Sequence, residues 1–306
     1  MQNQLQSAIE QISQVLLGKE KAVKLAVCCL VARGHLLIED LPGLGKTTLA
    51  HSLAQVTGLD YRRVQFTSDM LPADLTGFSM FNKDAGEFKF QKGPLFCQFL
   101  LADEINRSSP KTQSALLEAM EERQVSVDGQ SYQLPEPFFV IGTQNPHSLA
   151  GTFPLPESQL DRFLMRISLG YPSKGAERSI LSGENPREQI VNIKQLLTTD
   201  ILLALQSEVK NINASDLVIE YILRLIQATR ESSEFVHGIS PRGGLALMHA
   251  SKSWAMLEGR DYMTPDDVQA VVAAVFSHRL SNRSSGSQSS IDEVERWVES
   301  IDILAA

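Results

Sequence analysis

The sequence predicts an α/β protein: a five-stranded parallel sheet wrapped by helices and carrying a phosphate-binding turn, then a smaller all-helical domain. Three observations predict this. A short apolar strand runs into a glycine-bearing turn and a helix at residues 36–48. Four more short apolar runs alternate with helical patterns before residue 172. Beyond Tyr171-Pro172 only helical periodicity remains. The expected division is residues 1–172 for the sheet domain and 173–306 for the helical one. A chain of 306 residues has room for both.

The first strand is Leu36 to Ile38. It leads into Asp40-Leu41-Pro42-Gly43-Leu44-Gly45-Lys46-Thr47-Thr48. Gly43 and Gly45 let the backbone approach a bound group. The N–H groups of the turn and of the first helical residues then converge, with the positive end of the helix dipole behind them. Lys46 adds a mobile cation for outer phosphates, and the Thr47 hydroxyl suits a magnesium ion. The expected ligand is a nucleoside triphosphate. The pattern G-x-x-x-x-G-K-[ST] asks for glycine where this chain has Asp40, a departure the turn must be able to accept.

The helix of the turn runs through Thr48 to Val56. The other strands are Arg63 to Phe66, Gln98 to Ala102, Phe138 to Gly142 and Met165 to Leu169. Ser109-Pro110 opens a further helix, with Ser109 as cap. Two segments break the alternation. Phe78 to Phe90 (within an insert of about 68–92) and Val125 to Gln133 (within about 124–134) each suggest a hairpin; the second turns at Asp128-Gly129. Either is a decoration of the fold or a substrate-contacting element. In the helical domain, Ile219, Ile222, Leu223 and Ile226 suggest an apolar stripe. Ser240-Pro241-Arg242 opens a helix to Leu257, and Thr264-Pro265-Asp266-Asp267 is a capping-box start. The serine-rich stretch Ser281 to Ser290 is expected to be a flexible loop, followed by an amphipathic helix with Ile291, Val294, Trp297, Val298 and Ile301.

The strand Gln98–Ala102 ends in Asp103-Glu104. An acidic pair at the end of a buried strand is costly unless positive charge is near. In a nucleotide site magnesium supplies that charge. Asp103 would hold the ion, and Glu104 would orient or deprotonate the attacking water. Asn145, at the end of the next strand, could hydrogen-bond that water or the terminal phosphate; an ordinary turn asparagine before proline is the bland reading. Arg242 lies in the first turn of its helix, where the dipole disfavours it unless an anion binds. Arg162, between Asp161 and Phe163, reads as a salt bridge with that acid or another.

Composition narrows the classes. Hydrophobic content of 43% and charged content of 21% are ordinary for a globular protein. No apolar run reaches membrane-spanning length, and the N-terminus carries no secretory pattern. Cys28, Cys29 and Cys97 lack metal spacing and read as reduced core thiols of a cytoplasmic protein. A net charge of −8 gives no global attraction to nucleic acid.

The turn, Leu101-Ala102-Asp103-Glu104-Ile105-Asn106-Arg107, the strand ending in Asn145, Leu155-Pro156-Glu157-Ser158-Gln159-Leu160-Asp161-Arg162-Phe163 and Ser240-Pro241-Arg242-Gly243-Gly244 together resemble the MoxR family of AAA+ ATPases, of the helix-2-insert group. The resemblance covers most of the chain. It implies a Walker A cradle, a Walker B pair at Asp103 and Glu104, a sensor 1 at Asn145, an arginine finger at Arg162 and a sensor 2 at Arg242. It implies that Gly18, in Leu17-Gly18-Lys19-Glu20, lies near the adenine. The implied cofactors are ATP and Mg2+. The implied assembly is a homo-oligomeric ring, hexameric in the family, acting as a chaperone-like remodeller of protein clients, often with von Willebrand A domain partners. The competing reading is a nucleic-acid motor or metal-chelatase-like subunit of the same group. The acidic balance and the lack of a basic, aromatic-rich stripe weigh against nucleic acid. A small-molecule kinase would not need a water-activating Glu104, and a nucleotide-gated scaffold would not need it either.

Overall fold

A computed structural model describes residues 1–84, 86–145, 151–182 and 189–301. Pro146 and Ala85, both inside segments singled out above, lie outside the described residues. The central sheet has five parallel strands in the order β2-β5-β8-β1-β9. These are β1 (Leu36–Glu39), β2 (Tyr61–Gln65), β5 (Phe99–Asp103), β8 (Phe139–Gln144) and β9 (Met165–Ile167). β5 is buried along its whole length and β8 along nearly all of it, as expected of strands covered on both faces. After β1 the chain passes over two strand positions to β2. That reversal opens a crevice at the carboxyl ends of β1, β5 and β8, where ligands of open α/β sheets collect.

The two expected hairpins are present. β3 (Gly77–Asn82) pairs antiparallel with β4 (Glu87–Lys92), and β6 (Gln124–Val127) with β7 (Gln130–Gln133). A ring stack of Phe90 on Tyr132, with centroids 4.1 Å apart, joins them. Ser109 caps the helix Pro110–Glu122 by accepting from the Thr112 N–H.

Beyond β9 the described elements are helices, 3₁₀ turns and isolated bridges. The apolar core nevertheless does not stop at residue 172. The helix Glu20–Val31 is buried almost all round, because it sits between the sheet and the later helices. Its Cys28 thiol donates to the Ala250 carbonyl, and Gln206 donates to the Leu30 carbonyl at 2.8 Å. Thr264 forms its capping box with Asp267, and Ser240 accepts from the Gly243 N–H at 3.1 Å. All three cysteines are free and buried.

Two expectations need correction. The stripe of the helix Asp216–Glu231 is shifted: Val218, Tyr221, Ile222, Leu225 and Ile226 are buried, while Leu223 is exposed. The i, i+3, i+4 pattern admitted either face, and Tyr221 decides for the one that packs. The serine-rich stretch is also an ordered turn. Asn282 accepts from the Ser284 N–H at 2.8 Å, and Ser289 donates its N–H to the Leu280 carbonyl at 2.8 Å. Its ordering has a physical cause. Arg166 is buried, and a buried guanidinium must find acceptors. It takes the Gln288 amide oxygen at 3.0 Å and the Ser289 carbonyl from this turn, plus Glu39 at 3.0 Å from β1.

His35, just before β1, is expected to make stability depend on pH. Its Nδ1 accepts from the Val140 N–H and its Nε2 donates to the Met120 carbonyl, both at 3.1 Å. That arrangement needs the neutral ring, and burial pushes the imidazole pKa down to about 4. The unfolded chain takes up this proton near pH 6.5. Below that value it binds more protons than the native state, so stability falls as pH drops from about 6.5 to about 4, by on the order of 3 kcal/mol from this ring. Urea unfolding at pH 7 and pH 5 is expected to show the loss, and His35→Gln should flatten part of it.

Candidate active site

The turn after β1 has the shape its glycines require. Gly43 and Gly45 adopt φ of 85° and 99°, a region side chains rarely tolerate. The helix Lys46–Thr57 starts immediately after Gly45, so its free N–H groups and positive dipole end face the turn. A cavity of about 450 Å³ opens there. Pro42 to Thr48 form one wall. Asp103 and Glu104 form the opposite one, with Arg63 and Gln65 of β2 beside them. Leu16, Leu17, Pro172 and Ala176 supply apolar surface able to hold a flat base.

Lys46 is half-buried, and its ammonium donates to the carbonyls of Asp40 and, at 3.2 Å, Leu41. Burial lowers its pKa, while Asp40, Asp103 and Glu104 oppose that shift and favour the cation. Asp40, the departure from the glycine pattern, is explained by its partners. Its buried carboxylate accepts from the Ser168 hydroxyl at 2.8 Å, from the Leu169 N–H and from the Gly170 N–H at 3.2 Å. The side chain therefore turns away from the cavity and ties the turn to the strand end that leads into the helical half. Leu41, beside it, also lies outside the cavity wall.

Asp103 closes β5. Its Oδ1 accepts from the Thr143 hydroxyl at 2.6 Å, and its Oδ2 accepts from Arg63 at 2.7 Å. Thr143 is fully buried and also accepts the Glu104 N–H at 2.9 Å, so one hydroxyl fixes both acids. Glu104 adopts φ of 56°, a left-handed conformation unusual for glutamate. Its carboxylate takes the Arg107 guanidinium at 3.0 Å. Thr47 and Asp103 share the cavity, one hydroxyl and one carboxylate, which fits a magnesium ion completed by phosphate oxygens and water. Among the described residues no cluster of three or more His, Cys, Asp or Glu would hold a metal without that help.

Other expected residues lie elsewhere. Gly18 borders a neighbouring hollow with Arg166, Ser168 and Gly170; Leu17 and Lys19 on either side of it reach the cradle cavity. Asn145 follows β8 at the same sheet edge but lines a second cavity, of about 680 Å³, with Asn106, Gln144 and Arg166. Arg162 and Arg242 line neither. Both converge on Glu121, near the end of the helix Pro110–Glu122: Arg162 at 2.5 Å and Arg242 at 3.3 Å. Asp161 joins them, accepting from the buried Arg279 at 2.6 Å and pairing with Arg242 at 3.5 Å. Glu118 and Glu122 line a hollow with Arg162 as well, so the three guanidinium groups sit among carboxylates.

Sequence reasoning missed Arg63, Gln65, Thr143 and Glu121. Arg63 and Gln65 alternate on β2, so both side chains leave the same face, and Gln65 stands opposite Asp103 in the ladder. That register is a pairing between distant segments, which a single sequence does not reveal.

Most of the chain is similar to known proteins. Residues 35–165 match the ATPase family associated with various cellular activities (AAA), and residues 227–297 match the AAA lid domain. An uncharacterized protein, YeaC, of Bacillus subtilis is 46% identical over 90% of this chain and 86% of its own length. Chaperone MoxR1 of Mycobacterium tuberculosis is 39% identical over 90% of this chain and 75% of its own. A crystal structure from Cytophaga hutchinsonii, assigned by name only as an ATPase, superposes with a TM-score of 0.86 at 34% identity, covering 98% of this chain and 95% of that one.

Proposed function

The chain belongs to the MoxR family of AAA ATPases, and from that premise we propose that it hydrolyses ATP, with Mg2+, in a cytoplasmic homo-oligomeric ring that remodels protein clients. The observation that carries the reading is the split of the machinery. Lys46, Thr47, Asp103 and Glu104 share one cavity, whereas Arg162 and Arg242 sit together outside it on Glu121. This split favours a ring in which a neighbour's Arg162 completes the site, a hexamer by family precedent, with Arg242 as a phosphate contact from the helical domain.

Within the cavity each residue has a distinct task. The turn N–H groups and Lys46 bind the phosphates, and Thr47 and Asp103 hold the cation. Bound Mg2+ would offset charge building on the outer phosphates. Glu104 accepts a proton from the attacking water, its backbone pinned by Thr143 so that the carboxylate stays at the cavity edge. Asn145 is the amide proposed to meet the terminal phosphate or the attacking water. Gly18 gives the base-binding segment Leu16–Lys19 its turn, with φ of 72°. A von Willebrand A domain protein is the client or adaptor class to test first. Three free buried thiols accord with a reducing compartment, and among the described residues no helix is long and apolar enough to cross a membrane.

Lys46→Ala tests the cradle. ATP binding is expected to weaken about tenfold or more, since a charge-assisted contact contributes roughly 1.5–3 kcal/mol. Titration of a fluorescent nucleotide analogue reads the change, and unaltered affinity would remove the cradle assignment.

A further inference from the structure

We infer that Arg63 is a phosphate-contacting residue with two stations: it holds Asp103 when no cation is bound, and turns to the outermost phosphate of a triphosphate when Asp103 is claimed by the cation. The inference rests on the ATPase reading above.

Asp103 has two oxygens, and both are engaged. Oδ1 is locked by the buried Thr143 hydroxyl, which Glu104 needs in the same position. Oδ2 takes the guanidinium of Arg63, itself a cavity-lining residue, through Nη2 at 2.7 Å and Nε at 3.3 Å. A cation held through Asp103 therefore needs the oxygen that Arg63 occupies. Asp103 is buried, but the Arg63 side chain is 49% exposed. A half-exposed pair of this kind is weak, so Arg63 yields readily to a divalent ion. Its backbone cannot follow it away, since β2 is locked to β5 by their parallel ladder.

Arg63 lines the cavity with Lys46, Thr47 and Gln65, so a freed guanidinium would remain beside it. Its other side-chain contact is to the Gln65 amide oxygen at 3.5 Å, a marginal one. A planar guanidinium left without a carboxylate, opposite a phosphate cradle, matches phosphate oxygens well. The cradle N–H groups and Lys46 serve the inner phosphates from one side. Arg63 approaches from the side of Asp103 and Glu104, where the terminal phosphate must lie if Glu104 activates water against it. Arg63 would thus distinguish ATP from ADP within a single subunit, separately from the Arg162 and Arg242 patch.

The test measures nucleotide affinity, not turnover. ATP and ADP each displace a fluorescent ADP analogue from the wild type, Arg63→Gln and Arg63→Lys, at saturating Mg2+ and again in EDTA. With Mg2+, Arg63→Gln is expected to weaken ATP about tenfold and ADP by less than about twofold, the size of one lost charge-assisted contact. Arg63→Lys should fall between. In EDTA, with Arg63 held on Asp103, the ATP loss should shrink to about twofold or less. Equal losses for ATP and ADP would overturn the inference by making Arg63 a general wall residue. No loss for ATP would make the bridge a structural clip. A tenfold ATP loss that persists in EDTA would remove the exchange with the cation. If the wild type binds neither nucleotide, the ATPase reading fails instead, a result distinct from all of these.

Discussion

Glu104→Gln is expected to bind ATP with wild-type affinity while its turnover falls on the order of 10²–10⁴-fold, the range a positioned general base supplies. The amide keeps the length and shape of the carboxylate, so the cavity is preserved. The backbone remains pinned, because the Glu104 N–H to Thr143 bond does not involve the side chain. The φ of 56° also persists, since the tertiary contacts around Asp103 and Thr143 impose it. What is lost is the proton acceptor and half the pairing with Arg107. Steady-state phosphate release gives the turnover, and displacement of a fluorescent nucleotide gives the affinity. Unchanged hydrolysis would sink the mechanism. The same variant, held in its ATP-bound form, should accumulate assembled rings in sedimentation runs. It should also retain a client in a pull-down, which makes it the most direct route to the client's identity.

Much of this site was legible in the sequence because it is local. The turn from Asp40 to Thr48 carries its geometry in contiguous residues, and the Asp103-Glu104 pair marks the end of a strand whose apolar run is continuous. What was not legible depends on pairing between distant segments. Asp40 looked like a blemish until Ser168, Leu169 and Gly170 were found supplying its donors. Arg63 is only the first residue of an expected strand in the sequence; its guanidinium reaches Asp103 because β2 pairs with β5. The serine-rich turn was misread because its order comes from Arg166, more than a hundred residues earlier in the chain. The shifted stripe of the helix Asp216–Glu231 is a smaller case: apolar periodicity fixes a helix, but the partner helices choose the face.

Arg162→Ala is expected to lower turnover by roughly 10³-fold or more while leaving ATP affinity near wild type, because an arginine acting on a neighbour's phosphate contributes about 10³–10⁵ in rate. The positions of the side chains argue for a partner's site. Arg162 reaches the Leu117 carbonyl at 2.8 Å and Glu121 at 2.5 Å, on the far part of the helix Pro110–Glu122, and does not line its own cradle. Arg242 leans on the same Glu121, so one acid holds both arginines ready. Their pairs are partly exposed, and such pairs contribute about 0–1 kcal/mol, little against the gain at a transition state. A cis role and a trans role separate cleanly in mixed assemblies. Arg162→Ala subunits keep the cradle, and Lys46→Ala subunits keep the arginine. Neither alone should turn over well, yet mixtures should regain part of the activity where a Lys46→Ala subunit faces an Arg162→Ala cradle. No recovery at any ratio, with subunit exchange verified by a labelled subunit, would argue that Arg162 serves its own fold through Glu121 and does not complete a neighbour's site.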